Sequence, residues 1–189
     1  MPPAPSDEDL MRAVASGDDA AFARLLERHL ESVRRLAWRM LGNAADADDL
    51  AQDVFLRLWR KPDGFDAARG KFGPWLMRVA ANACIDRLRQ NAPRQLDERA
   101  AHAIPDGHPG PEAQLLAAQR RQRVRAAIGR LPERQRLAVT LAHELEHSNI
   151  ETARIMGLSV EAVESLLARG RRKLKELLAE ELAHMRGNE

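Results

Sequence analysis

Two histidines and a glutamate in the C-terminal third have the spacing of a metal-binding motif. His143, Glu144 and His147 match H-E-x-x-H, in which histidines one helical turn apart bind zinc and the glutamate is a general base. Such a site also needs a third ligand and a substrate cleft. Because Ser148 is the expected start of a new helix, we expect His147 to lie in the turn before it. That position breaks the helical spacing, so a zinc hydrolase is an alternative resting on these three residues alone.

A second set of candidate groups is a row of carboxylates. Asp46, Asp49 and Asp53 lie at i, i+3 and i+7 in a predicted helix over residues 46–61, and so share one helical face. Paired carboxylates serve acid–base catalysis or metal binding, but no histidine and no glycine-turned loop converges on this row. We therefore expect a solvated or protein-binding surface. With Gln52 beside it, the row suits the docking of a basic partner helix.

A polar helix face offers groups that bind nucleic acid. A helix is predicted to begin at Pro74, and the loop before it, residues 62–73, contains glycine and the basic pair Arg69 and Lys71. One side of this helix is expected to carry Arg78, Asn82, Ile85 and Arg89. Amides bond base edges, guanidinium groups hold phosphates and aromatic rings stack bases, so the face fits single-stranded nucleic acid. Trp75 lies at its edge, where we favour the alternative of packing in the core.

The segment 148–174 predicts a helix-turn-helix. Ser148 and Glu151 form a capping-box pattern, Gly157 suits a tight turn, and Ser159 can cap a second helix. In this motif the second helix enters the major groove of DNA. Its continuation is cationic, as phosphate contacts require, and contains Arg169, Arg171, Arg172, Lys173 and Lys175. A helical hairpin with a solvated basic end is the alternative.

The composition predicts an all-α fold of two small helical domains. Hydrophobic residues make up 44% of the 189 residues, which is ample for a core, while tyrosine is absent and aromatics make up only 4%. The segment 91–111 is rich in Ala, Pro and Gly and reads as a flexible linker. It separates domains at 1–90 and 112–189, and its His102 and His108 are expected to be surface residues without metal. The single cysteine, Cys84, and the lack of a signal peptide or membrane span favour the cytoplasm.

Charge is segregated along the chain although the net charge is only +2. Acidic residues crowd segments 6–9 and 46–53, and basic residues crowd 120–136 and 169–175. Such asymmetry suits a protein that meets nucleic acid with one face and a basic partner with another.

Taken together, these segments resemble a bacterial RNA polymerase sigma factor of the extracytoplasmic function (ECF) group of the sigma-70 family. The resemblance covers nearly the whole chain. Region 2 of the family is matched by AFARLLERHLESVRRLAWRMLGNAADADDLAQDVFLRLWR and KFGPWLMRVAANACIDRLR, and region 4 by LPERQR and the helix-turn-helix. It implies a protein that binds core polymerase and promoter DNA, has no enzymatic activity or cofactor of its own, and is held inactive by an anti-sigma factor.

The resemblance also implies roles for individual positions. Docking on the coiled coil of the polymerase β′ subunit falls to Asp46, Asp49, Gln52 and Asp53. The family melts and reads the −10 element with one base flipped into a loop pocket. The positions implied for this role are Phe65, Arg69, Lys71, Arg78, Asn82 and Arg89. Reading of the −35 element, beside the β flap, falls to Glu151, Ser159, Glu161, Glu164, Ser165, Arg169, Arg171, Arg172 and Lys173. The linker is implied to thread toward the RNA exit path.

Two positions depart from the family pattern. Glu164 and Leu166 stand where members often carry basic residues, and Glu161 adds negative charge. An acid repels phosphate but accepts a hydrogen bond from cytosine N4, so the −35 preference stays open. The acidic start favours an alternative, a sigma-like decoy that binds an anti-sigma factor and no promoter; Arg78, Asn82 and the basic segment 169–175 argue against it. The angle between the domains is also open, because the linker allows compact inhibited and extended polymerase-bound forms.

Overall fold

The computed structural model describes residues 4–91 and 111–186, and its side chains over 4–90 and 119–180. Within these ranges every regular element is helical, which confirms the predicted all-α fold. Most of the predicted linker, with His102 and His108, lies outside the described residues. The described helices include none long and apolar enough to cross a bilayer.

The N-terminal part consists of four helices. They are α1 (Asp7–Ala15), α2 (Asp19–Leu41), α3 (Ala44–Arg60) and α4 (Phe72–Asn91), with 3₁₀ turns at Pro62–Gly64 and Ala67–Arg69. Each early helix begins at a side-chain cap: Ser6 caps α1, Asp18 caps α2 and Asn43 caps α3. These short-range signals fix where each helix begins. The helix predicted over residues 46–61 starts two residues earlier, at Ala44, because Asn43 caps it.

A single apolar core holds these four helices together. The buried face of α3 recurs at helical spacing and is formed by Ala47, Leu50, Ala51, Val54, Phe55 and Leu58. It packs on α2, where Leu25, Val33 and Leu36 are fully buried. Burying one such side chain stabilises the fold by about 1.5–3 kcal/mol. Because these six positions face inward, the carboxylates of α3 are turned toward solvent.

The C-terminal part carries the helix-turn-helix. Its elements are α5 (Pro111–Gly129), α6 (Glu133–Val139), a π-helical turn (Thr140–Glu144), α7 (Asn149–Met156) and α8 (Val160–Arg186). Gly157 ends α7 with φ 64°, as the predicted tight turn requires. Gly170 lets α8 approach α6, since a Cβ at this position would lie 3.0 Å from Val139 Cγ2. A second core of α5–α8 residues, including Val163 and Leu167, results.

The two parts pack against each other. Leu137, Leu141 and Ile155 of the C-terminal part are buried in the core of the N-terminal part. Helix α7 lies on α4, and the π turn lies on α2. We call this the closed arrangement; of the two forms that the sequence leaves open, it is the compact one.

Helix α4 differs from the prediction in two respects. It begins at Phe72 rather than Pro74, because the carboxylate of Glu8 accepts a hydrogen bond from the Phe72 backbone N–H at 3.0 Å. Ile85 is buried rather than exposed beside Arg78 and Asn82. The buried arc of α4 is wide because α2, α3 and α7 all pack on it.

Candidate nucleic-acid interface

The predicted docking row forms an exposed edge of α3. Asp49, Gln52 and Asp53 are exposed and Asp46 is half-buried. Arg87 of α4 reaches this row: its Nη2 donates to Asp53 Oδ2 at 3.4 Å, and its Nη1 lies 3.9 Å from Asp46 Oδ1. Asp49 has no ion pair or hydrogen-bond partner among the described side chains. The row therefore keeps an excess of negative charge that is concentrated at Asp49.

An aromatic cluster supports the loop before α4. Phe65 lies 5.4 Å from both Phe72 and Trp75, measured between ring centroids, and His29 packs on the edge of Phe72 at 5.3 Å. Trp75 is half-buried against the first core, in agreement with the interpretation favoured from sequence. Phe65, predicted to contact the −10 element, is likewise half-buried, while Arg69 and Lys71 are exposed beside the cluster. Arg69 Nε lies 3.8 Å from Asp66 Oδ2, so the loop combines an aromatic floor with exposed cations of which Arg69 is paired within the loop.

The exposed face of α4 carries three of the predicted nucleic-acid residues. Arg78, Asn82 and Arg89 are exposed, and no described group hydrogen-bonds the amide of Asn82. Asp86 is exposed on the same face and was missed from the sequence, although its spacing of four from Asn82 indicates the shared face. Arg78 also lies against the end of α7, where a Cβ at Gly157 would be 2.7 Å from its Nη2. In the closed arrangement this face therefore borders the helix-turn-helix.

The predicted capping box of α7 is present. The Glu151 backbone N–H donates to Ser148 Oγ at 3.2 Å, and the Ser148 backbone N–H donates to Glu151 Oε2 at 2.9 Å. The Ser148 backbone N–H, and after it the Ser148 hydroxyl, which donates to Glu151 Oε2 at 2.8 Å, hold the pKa of Glu151 below its ordinary value. A carboxylate engaged in this way starts the helix and is only partly available to a base edge.

The start of α8 is acidic and its middle is basic. Ser159 Oγ accepts from the Ala162 backbone N–H at 3.2 Å, which confirms the predicted cap. The backbone N–H of Glu161 and the Ser159 hydroxyl hold the pKa of Glu161 below its ordinary value, so this group stays anionic. Asn149, which sequence reasoning missed, donates from Nδ2 to Glu164 Oε1 at 3.5 Å. All remaining candidates on this helix are exposed, namely Ser165, Arg169, Arg171, Arg172 and Lys173.

The H-E-x-x-H residues do not converge. His143 lies in the π turn, His147 lies in the non-helical segment before α7, and Glu144 faces Arg39 at 3.6 Å. Among the described residues no group of three or more His, Cys, Asp or Glu is arranged to hold a metal ion. The glutamate of this motif contacts the N-terminal part instead.

Comparison with known families matches each of the two parts of the chain to a family model. Residues 25–94 match the model of Sigma-70 region 2, and residues 121–174 match that of Sigma-70, region 4. The chain belongs to the sigma-70 family. The ECF RNA polymerase sigma factor SigW of Bacillus subtilis is 33% identical over 178 residues, which cover 89% of this chain and 94% of SigW. This sigma factor is therefore of the ECF group, and it directs RNA polymerase to promoters.

Solved structures share the fold. The RNA polymerase sigma factor CnrH of Cupriavidus metallidurans is 34% identical over 186 residues, covering 94% of this sigma factor and 97% of CnrH. The structure of CnrH in complex with the cytosolic domain of CnrY matches at a TM-score of 0.65 and 32% identity, over 92% of this chain and 97% of that one. The sigma factor RpoE of Bartonella quintana, solved with the anti-sigma factor NepR, matches at 0.63 and 23% identity, covering 84% and 96%, and shares the fold.

Proposed function

We propose that this sigma factor divides promoter recognition between its two parts, with residues 1–90 docking on core polymerase and opening the −10 element. Residues 112–189 read the −35 element, and residues 91–111 connect them. One observation carries this proposal: α3 and α4 present an exposed acidic row and an exposed Arg/Asn face on the same rigid core. The first surface suits a basic protein helix and the second suits single-stranded DNA.

The −10 element is opened by the loop and α4. Unstacking a base costs a few kcal/mol, which new contacts must offset. Half-buried Phe65 and Trp75, supported by the fully buried ring of Phe72, give a firm wall for a flipped base, and the free amide of Asn82 can bond its edge. Arg69, Lys71, Arg78 and Arg89 hold the backbone phosphates.

The −35 element is read by the helix-turn-helix. Arg169, Arg171, Arg172 and Lys173 bind phosphates, while the first turns of α8 enter the major groove. Anionic Glu161 and Glu164 make cytosine N4 the preferred donor at that groove. The acidic start is also the observation that favours a second candidate, a decoy that binds an anti-sigma factor and no promoter.

The closed arrangement is proposed to be inactive. The −10 and −35 elements are separated by about 25 base pairs, which is roughly 85 Å at ~3.4 Å per base pair of B-DNA. In the closed arrangement Arg78 lies against the turn that follows α7. The two readers cannot therefore reach both elements until α7 leaves α4. An anti-sigma factor that binds across both parts would hold the closed arrangement.

The protein acts in the cytoplasm and has no enzymatic activity of its own, because polymerase supplies the chemistry. Run-off transcription with core bacterial RNA polymerase and a library of promoter fragments tests the proposal. Discrete starts that share −10 and −35 elements are the expected result, and they will identify what α8 reads. Polymerase binding without starts would contradict promoter reading, and no polymerase binding at all would favour the decoy.

A further inference from the structure

The carboxylates of α3 are unequal in what they can offer to a partner. Arg87 lies between Asp46 and Asp53, and only 26% of its side chain is exposed. These two aspartates are separated by about 10.5 Å along the helix axis and lie within about 20° of each other around it, at ~1.5 Å and ~100° per residue. One guanidinium group can therefore neutralise both, and the partial burial of its side chain limits its movement.

Asp49 is outside the reach of this guanidinium. It is rotated by about 60° from Asp46 around α3, and Gln52 is rotated by about 60° more in the same direction. Leu56 continues the line at i+7 from Asp49, and it is one of the few large apolar side chains exposed among the described residues, at 39%. Asp49, Gln52 and Leu56 thus form a stripe with the i, i+3, i+7 spacing by which helices pack side by side.

We propose that this Asp49–Gln52–Leu56 stripe is the primary contact line for polymerase, and that Arg87 is an internal counter-ion that weakens docking at Asp46 and Asp53. The partner helix then has a basic residue opposite Asp49 and an apolar residue opposite Leu56. The inference rests on the proposed docking of α3 and ranks the residues within that surface. It also explains how a strongly acidic helix avoids indiscriminate binding to cations.

The sign of the effect of Arg87 follows from its position. A cationic partner that approaches the row meets Arg87 as a like charge, and it must share Asp53 with a hydrogen bond that already exists at 3.4 Å. Arg87→Met keeps an unbranched apolar side chain at this half-buried position but removes the charge. Affinity for polymerase is therefore expected to rise, and the slope of log affinity against log salt is expected to steepen.

The test is equilibrium binding of the full-length fluorescent protein to whole core polymerase over a range of salt. Asp49→Asn is expected to weaken binding by about tenfold, and Asp46→Asn by less than about threefold, since exposed ion pairs and partly neutralised charges contribute little. Leu56→Ser is expected to weaken binding at every salt concentration. Arg87→Met is expected to tighten it about threefold and to make Asp53→Asn more costly than in the parent protein.

Arg24→Met is the matched control, because Arg24 is exposed on α2 and the described residues give it no ion pair. It removes the same charge without breaking an ion pair of the row and should leave the affinity nearly unchanged. If Asp49→Asn binds polymerase as the parent does, the docking proposal itself is wrong. If Asp49→Asn weakens binding but Arg87→Met does not tighten it, docking stands and the role of Arg87 is refuted.

Discussion

Replacing Asn82 by alanine separates promoter opening from folding and from polymerase docking. Asn82 is exposed in the middle of α4, and no described group hydrogen-bonds its amide. Alanine is the better helix former by about 0.5–0.7 kcal/mol, so the midpoint of thermal unfolding should stay the same or rise slightly. Any loss of transcription then reports a contact to the promoter rather than damage to the fold.

The size of the loss follows from the contact that Asn82 would make. A good amide-to-base contact contributes about 1–3 kcal/mol of discrimination. At ~1.4 kcal/mol per factor of ten, Asn82→Ala should slow promoter opening by about 5- to 150-fold. Permanganate reactivity of unpaired thymines measures opening directly, and binding of labelled protein to core polymerase measures docking on the same samples. Docking should be unchanged, because Asn82 lies on α4 away from the acidic row.

Gln90→Ala provides the matched control for this experiment. Gln90 is also an exposed amide on α4, but it is rotated by about 80° from Asn82 at ~100° per residue. Its replacement should leave opening intact. Full-rate opening by Asn82→Ala, or an equal defect in both variants, would refute the assignment of Asn82 to the −10 element.

Three further predictions concern stability and chemistry. Burial raises the pKa of Glu144 above its ordinary value of 4.5, against the opposing charges of Arg39, Arg125 and Arg136. The closed form therefore binds the proton on Glu144 more tightly than an open form does, so the closed population should increase as pH falls through the raised pKa. Small-angle scattering would measure this population. Glu144→Gln should abolish its pH dependence. Ser148→Ala removes the cap of α7 and should cost about 1 kcal/mol of unfolding free energy, measured by urea titration, whereas an unchanged midpoint would show the cap to be dispensable. Burial raises the pKa of the Cys84 thiol to about 12, so iodoacetamide at pH 8 should modify the unfolded chain and spare the folded one, as mass spectrometry would record.

Most helix limits could be predicted because they are encoded within a few residues. Ser148 and Glu151 are three apart, and both bonds of their capping box form as the spacing predicts. Gly42 and Gly157 end α2 and α7 with positive φ for the same local reason. The apolar face of α3 follows from the helical period alone, because the buried residues share one side of the helix.

The features that could not be predicted all depend on residues distant in sequence. The start of α4 at Phe72 is set by Glu8, 64 positions earlier. Ile85 is buried because α4 is covered from several sides, which the period of one helix cannot reveal. The burial of Leu141 and Ile155 in the core of the other part likewise depends on how two separate units meet.

The acidic row shows which functional conclusions a sequence pattern can support. The spacing of Asp46, Asp49 and Asp53 places three carboxylates on one face, and on that basis they are equivalent. Arg87 makes them unequal, because it comes from α4 and touches two of the three. The strength of a charge at an interface depends on which charges the folded chain has already placed beside it. A face can therefore be inferred from the sequence, whereas the ranking of residues within it requires the neighbouring helix.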